Sequence, residues 1–258
     1  MRIRFCLLIL AILPASLPAQ ASPWTGVPAL PTSCYWDSDT TFLISVTRSK
    51  EALDAEITRQ EALNSTAEGN MHPAEMSATM QAAMMKDPQG AMKVLQSVQE
   101  AGTEEYQTKQ AHLLTRDAEL RAQFEPLKAQ FQAAYAKVNA ALSVDMQKYG
   151  DGEGATLPTP TEKKALSQKW ETLYAPVCAQ YFKAGAFPKW LASYRDFLVN
   201  ESNPFDERSF AIKKDMFTFY GVDTRSYNST VTTKAVSNYL GEVYKAFALR
   251  PAIWKVNP

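Results

Sequence analysis

Six of the chain's nine methionines fall between residues 71 and 92. They are Met71, Met76, Met80, Met84, Met85 and Met92, and His72 lies among them. Met76, Met80 and Met84 are four apart, a spacing that stacks side chains along one face of a helix. Thioethers are soft ligands suited to Cu(I) or Ag(I), and an imidazole helps complete such a set. Met71, His72, Met76, Met80 and Met84 are therefore the metal-ligand candidates. Two other readings of the same residues stay open. Methionine is a good helix former that fills irregular apolar gaps, and it lines adaptable grooves that receive an apolar helix or peptide.

The second chemistry is that of cysteine. The first 21 residues carry Arg2 and Arg4, then the apolar run Phe5 to Leu13, then small residues ending in Ala19-Gln20-Ala21. This is the layout of a secretory signal with its cleavage site. The apolar run is shorter than the ~20 residues a bilayer span requires, and no later stretch qualifies. Cys6 leaves with the signal, so Cys34 and Cys178 remain. An even pair in an oxidising compartment reads as a disulfide; two buried free thiols are the alternative.

Motifs for other chemistry are missing from the sequence. His72 and His112 are its two histidines, and neither belongs to an H-E-x-x-H or E-x-x-H pattern. There is no C-x-x-C-H haem site, no G-x-S-x-G elbow and no phosphate-cradling glycine loop, so no cofactor is expected. His112, beside Leu113 on the long helix, reads as a half-buried residue at the boundary of its apolar face. The acidic pairs Glu104/Glu105 and Asp206/Glu207 read as solvated first-turn charges, not as the two carboxyls of a glycosidase. With 27 basic and 27 acidic residues the chain gives no electrostatic reason to expect nucleic acid or anionic lipid as a partner.

The stretch from Thr103 to Tyr149 must position whatever chemistry exists, because it carries the longest helical pattern. Apolar residues return at Leu113, Leu120, Phe124, Leu127, Phe131, Tyr135, Val138, Leu142, Met146 and Tyr149, with charged residues between them. Thr103 suits an N-cap, and Gly150, Gly152 and Gly154 end the pattern. Pro126 lacks the amide that would bond to residue 122, which predicts a kink near Ala122 to Glu125. A helix from about Phe42 to Leu63 precedes the rod, its first turns Thr40 to Thr47 being β-prone as well. Two shorter helices follow, opened by Pro73 and by Pro88 with Asp87 as its cap. Their short connections predict that these pieces lie along the rod.

The run from Gly150 to Pro160 is glycine-rich and predicts a linker or exposed loop. Thr159, Pro160 and Glu162 then form a capping box for a helix with a possible bend at Pro176. Fourteen aromatic residues follow residue 186, and helices are expected near 187–201, 205–220 and 233–249. They read either as a core filled with large rings or as a groove with several rings exposed.

The expected architecture is all-α: a signal at 1–21, an N-terminal helical region with the long kinked helix at 22–149, a linker at 150–160 and an aromatic-rich helical region at 161–258. The expected function is non-catalytic binding outside the cytoplasm, to a protein, a peptide or an envelope component. Soft-metal handling and a motif-poor enzyme acting on an envelope polymer are the alternatives.

Overall fold

The structure, a computed structural model, describes residues 23–35, 40–69, 73–149 and 156–252. The signal-like start, the ligand candidates Met71 and His72, and the glycines of the linker lie outside them. The elements are a short 3-10 turn at Pro23–Gly26 and the α-helices α1 (Thr40–Gly69), α2 (Pro73–Lys86), α3 (Pro88–Ala101), α4 (Glu104–Ala122), α5 (Phe124–Met146), α6 (Pro160–Tyr181), α7 (Ala186–Phe197), α8 (Asn203–Phe219) and α9 (Val231–Phe247). No strand occurs among the described residues, so the β-prone start of α1 is helical. No helix among them is long and apolar enough to cross a membrane.

α4 and α5 form the expected bent rod, interrupted at Gln123. The Thr103 hydroxyl accepts from the Tyr106 amide at 3.3 Å and starts it. Pro126 has no N–H for the carbonyl of Ala122, so the helix restarts at Phe124 and the Leu127 amide reaches Gln123 at 3.4 Å. Phase is kept across the break: Leu113, Leu120, Phe124, Phe131, Val138, Leu142 and Tyr149 are buried, while Lys109, Arg116, Glu119 and Lys137 face water.

The rod's neighbours differ from the expectation. α6 lies on α5 and α7 on α4, whereas α1 packs on α9 and α3 on α8. An apolar stripe specifies a buried face without specifying the face that covers it. The rings decide the pairing here. Phe131 meets Tyr181, Phe182 and Phe187 edge-on or nearly so, and Phe124 lies 5.4 Å from Trp190. The Trp190 indole also donates to the Leu120 carbonyl at 2.7 Å, in the last turn of α4 where intrahelical partners run out. α1 meanwhile seats Phe42 against Phe247 of α9 at 5.6 Å.

α6 opens with the predicted capping box: the Thr159 hydroxyl accepts from the Glu162 amide at 3.3 Å, and the Thr159 amide donates to Glu162 Oε2 at 2.9 Å. That backbone bond is the first cause holding the Glu162 carboxyl at about 2. α6 continues through Pro176. α7 and α8, expected as separate helices, are joined by a π-helical turn at Leu198–Ser202. Leu198 to Ser202 therefore connect two helices without a loop.

One buried cluster draws on both sides of the glycine run, from Cys34, Leu43 and Val46 through the rod to Trp170, Phe187 and Phe247. Cys34 and Cys178 are bonded, with Cα atoms 5.7 Å apart. Their surroundings are aromatic: Tyr35 stands 5.6 Å from Trp170 and 5.5 Å from Tyr174, whose hydroxyl donates to the Cys34 carbonyl at 3.3 Å. Most of the C-terminal rings fill this core, and Phe217 and Tyr227 form a second, smaller cluster with Ala67. Phe187, Tyr194, Phe197, Phe217, Tyr239 and Phe247 are all buried, Phe210, Phe219 and Tyr220 are half-buried, and Tyr244 is 44% exposed.

Candidate functional site

The methionine segment forms a helical hairpin, α2 and α3, against α8. Met76 falls within α2; Met80 and Met84 sit one turn apart on it and are half-buried. Met85 and Met92 are 84% and 55% exposed. Among the described residues no group of three or more His, Cys, Asp or Glu side chains is arranged to hold a metal. His112 is exposed on α4 rather than half-buried beside Leu113.

A different place gathers polar groups. Between α4, the π-turn, the first turn of α8 and the start of α9 lies a cleft of about 440 Å³. α4 supplies Gln110, Leu113, Leu114, Asp117 and Arg121, which share one flank of that helix by their three- and four-residue spacing. Leu198 and Ser202 come from the π-turn and Asn203, Phe205 and Asp206 from α8. α9 closes the far wall with Val231, Lys234, Ala235 and Asn238. A π-turn is uncommon, and such turns recur at functional sites because they re-aim the side chains around them.

Most charges here are matched. The Asp117 carboxylate accepts from the Tyr194 hydroxyl at 3.1 Å and pairs with Arg121 at 2.9 Å. Arg121 also reaches the buried Glu242 at 3.6 Å and lies over the Tyr194 ring, 5.4 Å from its centroid. Burial pushes the Tyr194 hydroxyl above its ordinary value. Glu242 is balanced further by Lys245 at 2.9 Å, and Lys234 pairs with Glu61 at 2.5 Å.

Asp206 stands apart. Its Oδ2 accepts from the Ser202 hydroxyl at 3.1 Å, and among the described residues it has no cationic partner. Burial raises its carboxyl above the usual range, the Ser202 bond opposes this, and the neighbouring Glu207 adds to it. A carboxylate in a first turn normally gains from free amides. That benefit is missing here, because the π-turn feeds α8 directly: the Asn203 amide is already bonded to the Leu198 carbonyl, and Pro204 has none. Asp206 is half-buried at this position. Asn203 itself is 7% exposed, and its Oδ1 has no hydrogen-bond partner.

The raised carboxyl makes a stability prediction. The folded chain binds that proton more tightly than the unfolded chain, so Asp206 opposes folding as pH rises from the ordinary carboxylate value through the raised one. Asp206→Asn should raise Tm by roughly 1–2 °C at neutral pH and leave it unchanged below the ordinary carboxylate range. Thermal melts of both proteins across that range check this.

The chain matches no protein-family model, no curated protein and no solved structure. The cleft was not nominated by sequence, since its walls come from positions roughly 80 and 120 residues apart in the chain. The signal that was available is the Asn203-Pro204 pair with Asp206 behind it, in a polar stretch from Asn200 to Ser209 interrupted by Phe205.

Proposed function

We propose that this chain is a non-catalytic helical binding protein that works outside the cytoplasm, and that the cleft beside the π-turn is its ligand seat. The observation carrying this reading is that the cleft is lined by two residues with a buried side-chain atom that has no hydrogen-bond partner, Arg121 at Nε and Asn203 at Oδ1, with the half-buried Asp206 carboxylate beside them. Unpaired polar groups held away from water cost stability, and an occupant that bonded to them would remove that cost. Leu114 on the rim is 67% exposed and adds apolar contact area for that occupant. A Cys34–Cys178 bridge accords with an oxidising compartment and with the signal-like start of the chain.

A catalytic reading is weaker on the same geometry. Asp117 and Asp206 line one cleft, but Asp117 is committed to Arg121 and Tyr194. Glycoside hydrolysis requires two available carboxyls. Release of soluble fragments from an envelope polysaccharide by the purified protein, lost in Asp206→Asn, would favour the enzyme. Soft-metal binding rests on Met80 and Met84, one turn apart on α2. A Cu(I) titration against a competing chelator tests it, with Met80→Leu/Met84→Leu as the comparison.

The binding reading is tested by position-specific photocrosslinking in the protein's own host. A photoreactive residue replacing Leu114 should give a recurrent adduct that the same residue at Val144, equally exposed at 66% on α5 and away from the cleft, does not give. Identical adducts from both positions, or none from Leu114, would contradict it.

A further inference from the structure

A second cleft, of about 650 Å³, borders the π-turn at Val199 and Asn200. Its walls are α7, the 3-10 turn with the irregular segment after it, and Tyr239 of α9. It shares no lining residue with the cleft beside Leu114.

Arg195 sets its chemistry. The guanidinium lies over the Trp24 ring, 5.3 Å from the centroid, and among the described residues it has neither a carboxylate partner nor a hydrogen bond. Contact with a ring face holds the cation while its N–H fork stays free, and that fork matches the two oxygens of a carboxylate. Tyr239, 4% exposed, also lines the cleft with a hydroxyl that has no partner among the described residues. Burial raises that hydroxyl above its ordinary value and the charge of Arg195 opposes the shift, so the two groups are near each other.

Acceptors are present as well. Successive helix residues diverge by about 100°, so Asp196 does not answer Arg195; it takes one bond, from the Asn200 amide at 2.6 Å. Pro28, Ala29 and Leu30 line the cleft and make no hydrogen bond among the described residues. An occupant therefore has to bring a carboxylate for Arg195, N–H groups for these acceptors, and apolar bulk for Val27, Pro188 and Val199, the last 38% exposed. A fatty acid brings the first and the third. A peptide with an apolar last residue brings all three.

We propose that this cleft is a separate binding site for the free C-terminus of an apolar peptide, the terminal carboxylate forked on Arg195 and the last side chains against Val27, Pro188 and Val199. It does not depend on the cleft beside Leu114 being a ligand seat.

Calorimetric titration of the full mature protein tests this with three probes: acetyl-Ala-Leu-Val as the free acid, the same peptide as its C-terminal amide, and octanoate. The acid is expected to bind about tenfold or more tightly than the amide, with that margin lost in Arg195→Gln, the loss of one charge-assisted pair. Lys189→Gln removes the same charge from an exposed position of α7 outside the cleft and should keep the margin. Octanoate binding as tightly as the peptide acid, with the same dependence on Arg195, overturns the peptide and leaves a seat for small carboxylic acids. Equal binding of acid and amide, a margin that Arg195→Gln does not change, or no binding of either peptide overturns the site. Far-ultraviolet circular dichroism confirms that each variant keeps its helices.

Discussion

Removal of the Cys34–Cys178 bridge lowers the unfolding free energy by about 2–5 kcal/mol. The bond joins residues separated by 144 positions, so on the loop-entropy account it restricts the unfolded chain strongly. It also ties the first described segment to α6, where Tyr35 rests on Trp170 and Tyr174. Both cysteines are buried, at 2% and 4% exposed, and alanine at each position leaves little extra space. The effect is therefore expected in the denatured state more than in the packing. Urea unfolding of Cys34→Ala/Cys178→Ala should show a lower midpoint together with a steeper dependence on urea, since an unbridged chain exposes more surface. An unchanged midpoint would show that the bridge contributes nothing.

Phe131→Ala is the other large effect, expected to cost about 3–5 kcal/mol. Phe131 is 2% exposed on α5 and meets Tyr135, Tyr181, Phe182 and Phe187 with ring centroids 5.3 to 6.1 Å apart. Four rings held by four separate side chains cannot collapse into the space one of them leaves, so the cavity term stays large. Val144→Ala on the exposed side of the same helix should change stability by no more than about 0.5 kcal/mol. The comparison checks the direction of the rod's buried face within one helix. Because the buried cluster includes residues from both sides of the glycine run, the Phe131 variant should still unfold in a single transition. Two separate transitions would show that the halves have independent cores.

Local rules were enough to read the rod. The stripe from Leu113 to Tyr149, the cap at Thr103, the restart at Pro126 and the box at Thr159 each follow from spacing, from a missing amide, or from a side chain three residues from its partner. These are interactions between near neighbours in the chain. The pairing of Cys34 with Cys178 was legible for another reason, since few alternatives existed once Cys6, in the signal-like start, was set aside. What α1 to α3 would cover was not legible. Their apolar faces are specified locally, but their partners α9 and α8 lie more than 100 residues away, and shape complementarity among rings chooses between them. The same holds for the cleft. Asp206 carries the sequence signature of a first-turn charge, and only the π-turn, which no local pattern announced, removes the free amides that would have stabilised it. Methionine clustering drew attention to α2, where the described side chains leave Met80 and Met84 as the thioethers to test.

The measurement that bears most directly on the cleft as ligand seat is hydrogen exchange of the mature protein with and without the envelope extract of its own host. Slowed exchange confined to residues 113–121, 198–206 and 231–238 is the predicted result. No change in those three segments, or protection centred instead on the α2–α3 hairpin, would contradict it.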